Sequence, residues 1–205
     1  MARFAGGARW LKAMIEGEDR TGLVPLFREV RPRGPKPAST SSWCVQFDAS
    51  VWGGGAILRC GEAITEYMHC TWDESTVQHL GVCIGDPRHQ TLWEFLTLLM
   101  SLMIWGGNFL TEEVALLGDN TASLADALDL KGRGVLMDIA RELSWRKARF
   151  GWQFAVGHVP SERNSIPDAL SRLQAVPPCT FPKKALARAV QRDSPDQSRI
   201  WRAGV

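Results

Sequence analysis

The sequence predicts an α/β domain built on one mixed sheet with helices on both faces. Three observations carry that prediction. Three short strand-like runs follow one another between residues 43 and 70. A helix–strand–helix–helix–strand–helix order comes next, a pattern that places helices on a sheet. The most apolar stretch, Leu92 to Leu110, carries Glu94 and is broken by Gly106-Gly107, so it reads as a core helix.

The elements follow in order. Residues 31–42, RPRGPKPASTSS, combine three prolines with small polar residues and read as a linker, so the domain begins near Trp43. WCVQF (43–47) alternates loosely and predicts a first strand. Trp52 to Gly55 reads as a tight connection, and AILRC (56–60) as a second strand. ITEYMHC (64–70) predicts a third, with Ile64, Glu66, Met68 and Cys70 on one side. Residues 71–89 read as an irregular loop. Gln90 to Trp105 is the buried helix; its apolar part spans about 21 Å at ~1.5 Å per residue, short of the ~30 Å of a bilayer core. VALL (114–117) is a buried strand, Thr121 to Leu128 a helix, and KGRG (131–134) a turn. Val135 to Phe150 is an amphipathic helix with Val135, Leu136, Ile139, Ala140 and Leu143 as its apolar stripe. WQFAV (152–156) is a fifth strand. Ile166, Ala169, Leu170 and Leu173 recur at i, i+3, i+4 and i+7 and predict a last helix over 166–173. Pro177-Pro178 closes the domain. The expected organisation is a connecting segment over 1–42, a domain over 43–173, and a basic, mobile tail over 174–205.

A formal charge of +2 conceals an asymmetry. Residues 1–43 carry eight Lys/Arg against four acids, and 174–205 carry six against two. The middle carries ten against sixteen, so an acidic domain lies between two basic arms. Basic arms suit a polyanionic partner or are solvated linker charge. An acidic core is unusual for a nucleic-acid binder unless its acids gather around cations. Cys44, Cys60, Cys70, Cys83 and Cys179 form no CxxC pair and no zinc spacing, which predicts buried thiols in a reducing compartment, cytoplasm or nucleus. The first nineteen residues lack an apolar h-region and hold Glu16, Glu18 and Asp19, so neither secretion nor organelle import is expected.

Six positions carry the candidate chemistry: Asp48, Glu94, Asp119, His158, Asn164 and Asp168. Each falls at a strand end or in the first turn or so of a helix. Hard divalent cations take oxygen ligands. Two of them ~3.5–4 Å apart can activate a water and stabilise a leaving oxygen. Such a site needs several carboxylates brought to one point. Each residue also has a plainer reading. Asp48 in FDAS could be a turn residue and Asp119 a helix cap. Asp168 stands at capping-box spacing from Ser165. His158 could be structural or solvent-exposed, and Asn164 a loop or cap residue. Glu94 is the least easily dismissed, because a buried carboxylate is costly and no Arg or Lys lies at i±3 or i±4.

FDASVWGGGAIL, LWEFLTLL, LLGDNTASL and WQFAVGHVPSERNSIPDALSRL together resemble the ribonuclease H domain fused to retroelement reverse transcriptases. The resemblance covers roughly 43–173. It implies a five-stranded sheet, the first three strands antiparallel and the last two parallel to the first. Asp48, Glu94, Asp119 and Asp168 would bind two Mg²⁺ ions, with Mn²⁺ as a substitute. Asp48 would bridge both, Asp168 would serve the water-activating ion, and Glu94 and Asp119 the leaving-group side. His158 would assist proton transfer or product release, and Asn164 would organise the site from behind. The family cuts the RNA strand of RNA–DNA hybrids and checks the 2′-hydroxyl. The resemblance further implies a polymerase partner that this sequence does not contain, and no membrane.

The basic protrusion of many cellular members is absent, because Leu128 leads to Val135 through a short turn. The residues expected to contact nucleic acid are Asn120, Arg133, Arg141, Trp145 and Arg149. Arg141, Trp145 and Arg149 recur at i, i+4 and i+8, where Arg and Trp can meet phosphate and sugar. The same spacing also fits a solvated face with Trp145 covered by an arm. The rival overall is a catalytically silent nucleic-acid-binding or connection module of a decayed element, which a lost carboxylate would mark; none is lost. Proofreading exonucleases would want Asp-x-Glu where this chain has Asp48-Ala49-Ser50, and integrases a Glu where it has Asp168.

Overall fold

The computed structural model describes residues 42–109, 113–120, 122–124 and 134–201. The expected connecting segment 1–42 lies outside them except for Ser42, as do Lys131, Arg133 and most of the helix expected over 121–128. Strand β1 (Trp43–Ser50) pairs antiparallel with β2 (Gly53–Cys60), and β2 with β3 (Ala63–Thr71). Strands β4 (Val114–Gly118) and β5 (Phe154–His158) extend the sheet on the other side of β1, both parallel to it. These five strands have the expected directions, the first three antiparallel and the last two parallel to the first. The sheet has a sixth, however: β6 (Val190–Gln191) lies parallel to β3, giving the order β5-β4-β1-β2-β3-β6.

The sixth strand corrects the reading of the tail. Residues 174–201 pack on the domain instead of leaving it. Leu186 joins Ile57, Tyr67 and Leu170 in a small apolar cluster, and Ile200 and Trp201 enter the main core. Arg192 pairs with Glu66, and Gln197 bonds the Thr71 carbonyl and the Asp73 amide. Local periodicity could not reveal this, because the polar partners Glu66, Thr71 and Asp73 lie more than 120 residues away.

The helices are α1 (Glu74–Leu80), α2 (Gln90–Trp105), α3 (Leu136–Phe150) and α4 (Ser165–Ser171). The segment read as an irregular loop therefore holds a helix. Asp73 accepts the Thr76 amide at 2.8 Å at its start, and Gly81 ends it in the left-handed region at φ 63°. Helix α2 has the predicted bounds, and among the described residues no helix is long and apolar enough to cross a membrane. All five cysteines are free thiols, and Cys60 and Cys83 are exposed where buried thiols were expected.

The Gly53–Gly55 run is not the turn the sequence suggested. The turn is Val51-Trp52, clasped by Ser50 Oγ, which accepts the amides of Trp52 and Gly53 at 3.1 and 3.3 Å. The glycines lie within β2 because helices approach it on both faces. A Cβ on Gly54 would stand 2.5 Å from Thr97 Oγ1 on α2. One on Gly55 would stand 2.6 Å from Leu170 Cβ on α4. Successive strand residues face opposite sides, so α2 and α4 sandwich the strand. That close approach brings α4 over β1.

Candidate active site

β1 alternates in what it presents. Val45, Phe47 and Ala49 belong to the main core. Gln46, Asp48 and Ser50, on the other side, all bond the segment that carries α4. Gln46 Nε2 donates to the Arg163 carbonyl at 2.7 Å, and Ser50 Oγ to the Ser171 carbonyl at 2.7 Å. Asp48 Oδ2 accepts the Ser171 hydroxyl at 2.7 Å. Asn164, fully buried, donates Nδ2 to the Phe47 carbonyl at 3.0 Å, one residue before Asp48. Its Oδ1 has no hydrogen-bond partner.

Asp48 is only 5% exposed. Burial pushes its carboxyl up to about 8; the Ser171 bond opposes this, and the charges of Asp119, Asp168 and Glu94 add to it. The four acids of the sequence reading are thus electrostatically coupled at one end of the sheet. Among the described residues, no Lys or Arg forms an ion pair with Asp48 or Glu94. As the side chains stand, no three His, Cys, Asp or Glu groups among the described residues are gathered tightly enough to hold an ion.

Each acid has a particular seat. Glu94 lies in the first turns of α2, 4% exposed, and neutral donors satisfy it. Gln90 Nε2 and Asn120 Nδ2 reach Oε1 at 3.0 and 3.2 Å, and Ser123 Oγ reaches Oε2 at 3.2 Å. Burial raises its carboxyl above the ordinary range, with the Asp119 charge adding and the three hydrogen bonds opposing. Gln90 was legible one helical turn before Glu94; Ser123 was not. Asp119 follows β4 and accepts the Ser161 hydroxyl at 2.9 Å. It is not the helix cap, because Asn120 Oδ1 takes the amides of Ala122 and Ser123 at 2.9 and 3.3 Å. Asn120, expected on nucleic acid, therefore caps a helical turn and holds Glu94.

Asp168 is not half of a capping box. Ser165 is already inside α4, Asn164 is the cap residue, and no side chain caps the amides. Its carboxylate instead meets Arg172 Nε at 2.5 Å, both groups half-exposed. His158 is exposed at the end of β5, opposite Gly118, which precedes Asp119. The sequence reasoning missed Ser171 and Arg172 as partners, although both lie in the quoted DALSR run.

The Arg–Trp face of α3 is corrected. Trp145 is 2% and Arg149 8% exposed. The Arg146 and Arg149 guanidinium groups lie 5.4 and 5.5 Å from the Trp145 ring centre. Spacing alone could not tell a solvent-facing stripe from one that is covered. Arg141 is partly exposed and pairs with Asp138 at 3.2 Å.

No family model matches the chain, and no curated protein matches it. Among solved structures it is similar to the crystal structure of RNase H1 from the halophilic archaeon Halobacterium salinarum NRC-1. The identity is 17% and the TM-score 0.48, over 62% of this chain and 92% of that one.

Proposed function

We propose that the chain is a metal-dependent endonuclease that hydrolyses the RNA strand of RNA–DNA hybrids, as the ribonuclease H domain of a retroelement reverse transcriptase polyprotein. The observation that carries the reading is the Asp48 carboxyl. It is buried, held by a hydroxyl, raised to about 8, without an ion-pair partner among the described residues, and faced by three further acids. The strand order adds support, since the acids come from the ends of β1 and β4 and from the starts of α2 and α4. So does the motif order, from Asp48 to the His158, Asn164 and Asp168 cluster.

The donor set fits Mg²⁺, with Mn²⁺ as a substitute, because all four candidate ligands are carboxylate oxygens. Bound there, two such ions supply an activated water and charge neutralisation at the leaving oxygen. Asp48 would be shared between them, Asp168 would serve the water side, and Glu94 and Asp119 the leaving-group side. Asp168 must exchange Arg172 for this role, which frees a guanidinium for phosphate. His158, exposed beside the end of β4, moves a proton or eases product departure. Asn164 holds the β1 backbone that presents Asp48. The partners are the hybrid and a polymerase domain of the same polyprotein.

A second reading has one observation in its favour. Gln90, Asn120 and Ser123 occupy both Glu94 oxygens, and among the described residues no three acids are gathered for an ion. This is what a catalytically silent hybrid-binding module would retain. Incubation with end-labelled hybrid, duplex DNA and duplex RNA separates the two. The nuclease reading expects Mg²⁺-dependent cutting of the hybrid's RNA strand alone, abolished by EDTA. No cutting at any Mg²⁺ or Mn²⁺ concentration, with hybrid binding retained, would establish the silent module. His158→Ala should lower turnover and leave Mn²⁺ affinity unchanged; loss of Mn²⁺ binding would make His158 a ligand.

A further inference from the structure

We propose that Ser171 is a positioning residue that fixes the Asp48 carboxylate for cation capture, and that Ser50 braces it. The inference rests on the nuclease reading above and identifies what orients its central acid. Ser171 ends α4 and is buried against β2. Its hydroxyl reaches Asp48 Oδ2 at 2.7 Å. Ser50, two residues beyond Asp48 on the same side of β1, donates to the Ser171 carbonyl at 2.7 Å. The same Ser50 oxygen accepts the amides of the β1–β2 turn. The turn, the end of α4 and Asp48 are therefore joined in one continuous set of hydrogen bonds.

The local packing is built around this approach. A Cβ on Gly55 would stand 2.7 Å from the Ser171 amide and 2.6 Å from the Pro167 carbonyl. Only glycine on β2 lets α4 come this near, and Gly55 is the residue directly across from Asp48. The plainer role for Ser171 is a helix serine bonding back to its own turn, since its Oγ also lies 2.9 Å from the Asp168 carbonyl. A hydroxyl has one proton, and the carboxylate is both the nearer and the stronger acceptor. Each carboxylate oxygen offers two lone-pair directions, so Oδ2 can accept this bond and still face a cation. Groups that orient a ligating carboxylate in this way typically carry ~10–100-fold of metal affinity.

The test is Mn²⁺ titration of the full chain by calorimetry without nucleic acid, with Ser171→Ala, Ser171→Thr and Asp48→Asn alongside. Ser171→Ala should weaken Mn²⁺ binding by about tenfold or more, and Ser171→Thr, which keeps the hydroxyl, should restore it. In hybrid cleavage, Ser171→Ala should lower kcat and leave KM unchanged. A folded Ser171→Ala chain with parental Mn²⁺ affinity overturns the proposal. So does a folded Ser171→Thr chain as weak as Ser171→Ala, because packing would then be the cause. If the alanine chain does not fold, Ser171→Cys, similar in size but a weak donor, is judged by the same criterion. Asp48→Asn separates the two levels. Parental Mn²⁺ affinity in that variant would remove the cation site itself, whereas loss there with retention in Ser171→Ala removes only the role of Ser171.

Discussion

Two carboxylates of this sheet are treated in opposite ways. Glu66 on β3 meets Arg192 through two bonds of 2.6 and 2.7 Å and takes the Trp105 indole at 2.8 Å. The Arg192 bonds, helped by the indole and the guanidinium charge, hold its carboxyl below the ordinary range against the effect of burial. Asp48, two strands away, has a hydroxyl and three like-charged neighbours, and its carboxyl is pushed up to about 8. A cation from the distant end of the chain neutralises one acid, and among the described residues none pairs with the other. A carboxylate whose task is structural receives its counter-ion from the fold. On the proposed function, one that receives none, beside three further acids, would take its cation from outside.

The largest effect tests the paired side. Ending the chain at Ala189 removes Arg192, β6, Gln197, Ile200 and Trp201. Losing a buried Trp alone costs ~3–5 kcal/mol, so the urea midpoint should collapse; a parental midpoint would show that the tail contributes nothing to the fold.

Asp48→Asn tests the unpaired side and should have the opposite sign. The folded-state value of about 8 lies above the ordinary 3.8. Between those values the folded protein holds a proton that the unfolded chain has lost, so metal-free stability falls as pH rises through that window. The variant lacks this loss. Its advantage over the parent should therefore grow with pH and approach several kcal/mol near pH 8 as an upper limit. A difference independent of pH would show that the folded protein does not raise the Asp48 carboxyl.

The smallest effect is Arg192→Gln. The pair is solvent-screened, so only a small loss of stability is expected near neutral pH. A depressed Glu66 contributes above its ordinary value of 4.5 and loses that contribution as pH falls through the depressed one. The cost of the substitution should thus vanish in acid, and a cost that persists there would assign it to packing.

The site was more legible in the sequence than its supports. Asp48, Glu94, Asp119 and Asp168 stand in quotable runs, each at an element end, and the structure couples all four. What holds them was hidden, because Ser171 lies 123 residues from Asp48 and Asn164 lies 117 from Phe47. Helix α2 was legible because its apolar run, interrupted only by Glu94, Thr97 and Ser101, continues to Gly106. Helix α1 was missed although Asp73 and Gly81 are ordinary start and stop signals. The glycines of β2 read as a turn because a turn and a helix contact ask for the same residue. Trp145 and Arg149 read as surface because spacing fixes a helix face and not what covers it.

The claim that this end of the sheet is a cation site is tested most directly by the thermal midpoint across about pH 5 to 8, in EDTA and in Mg²⁺, for the parental chain and Asp48→Asn. In EDTA the parental midpoint should fall as pH rises. Mg²⁺ should raise it, most at high pH, by an amount equivalent to ~2.7 kcal/mol when its concentration is about a hundred times Kd. The Asp48→Asn chain should show neither the fall nor the response. An equal Mg²⁺ response in both chains, or none in the parent, would contradict the account.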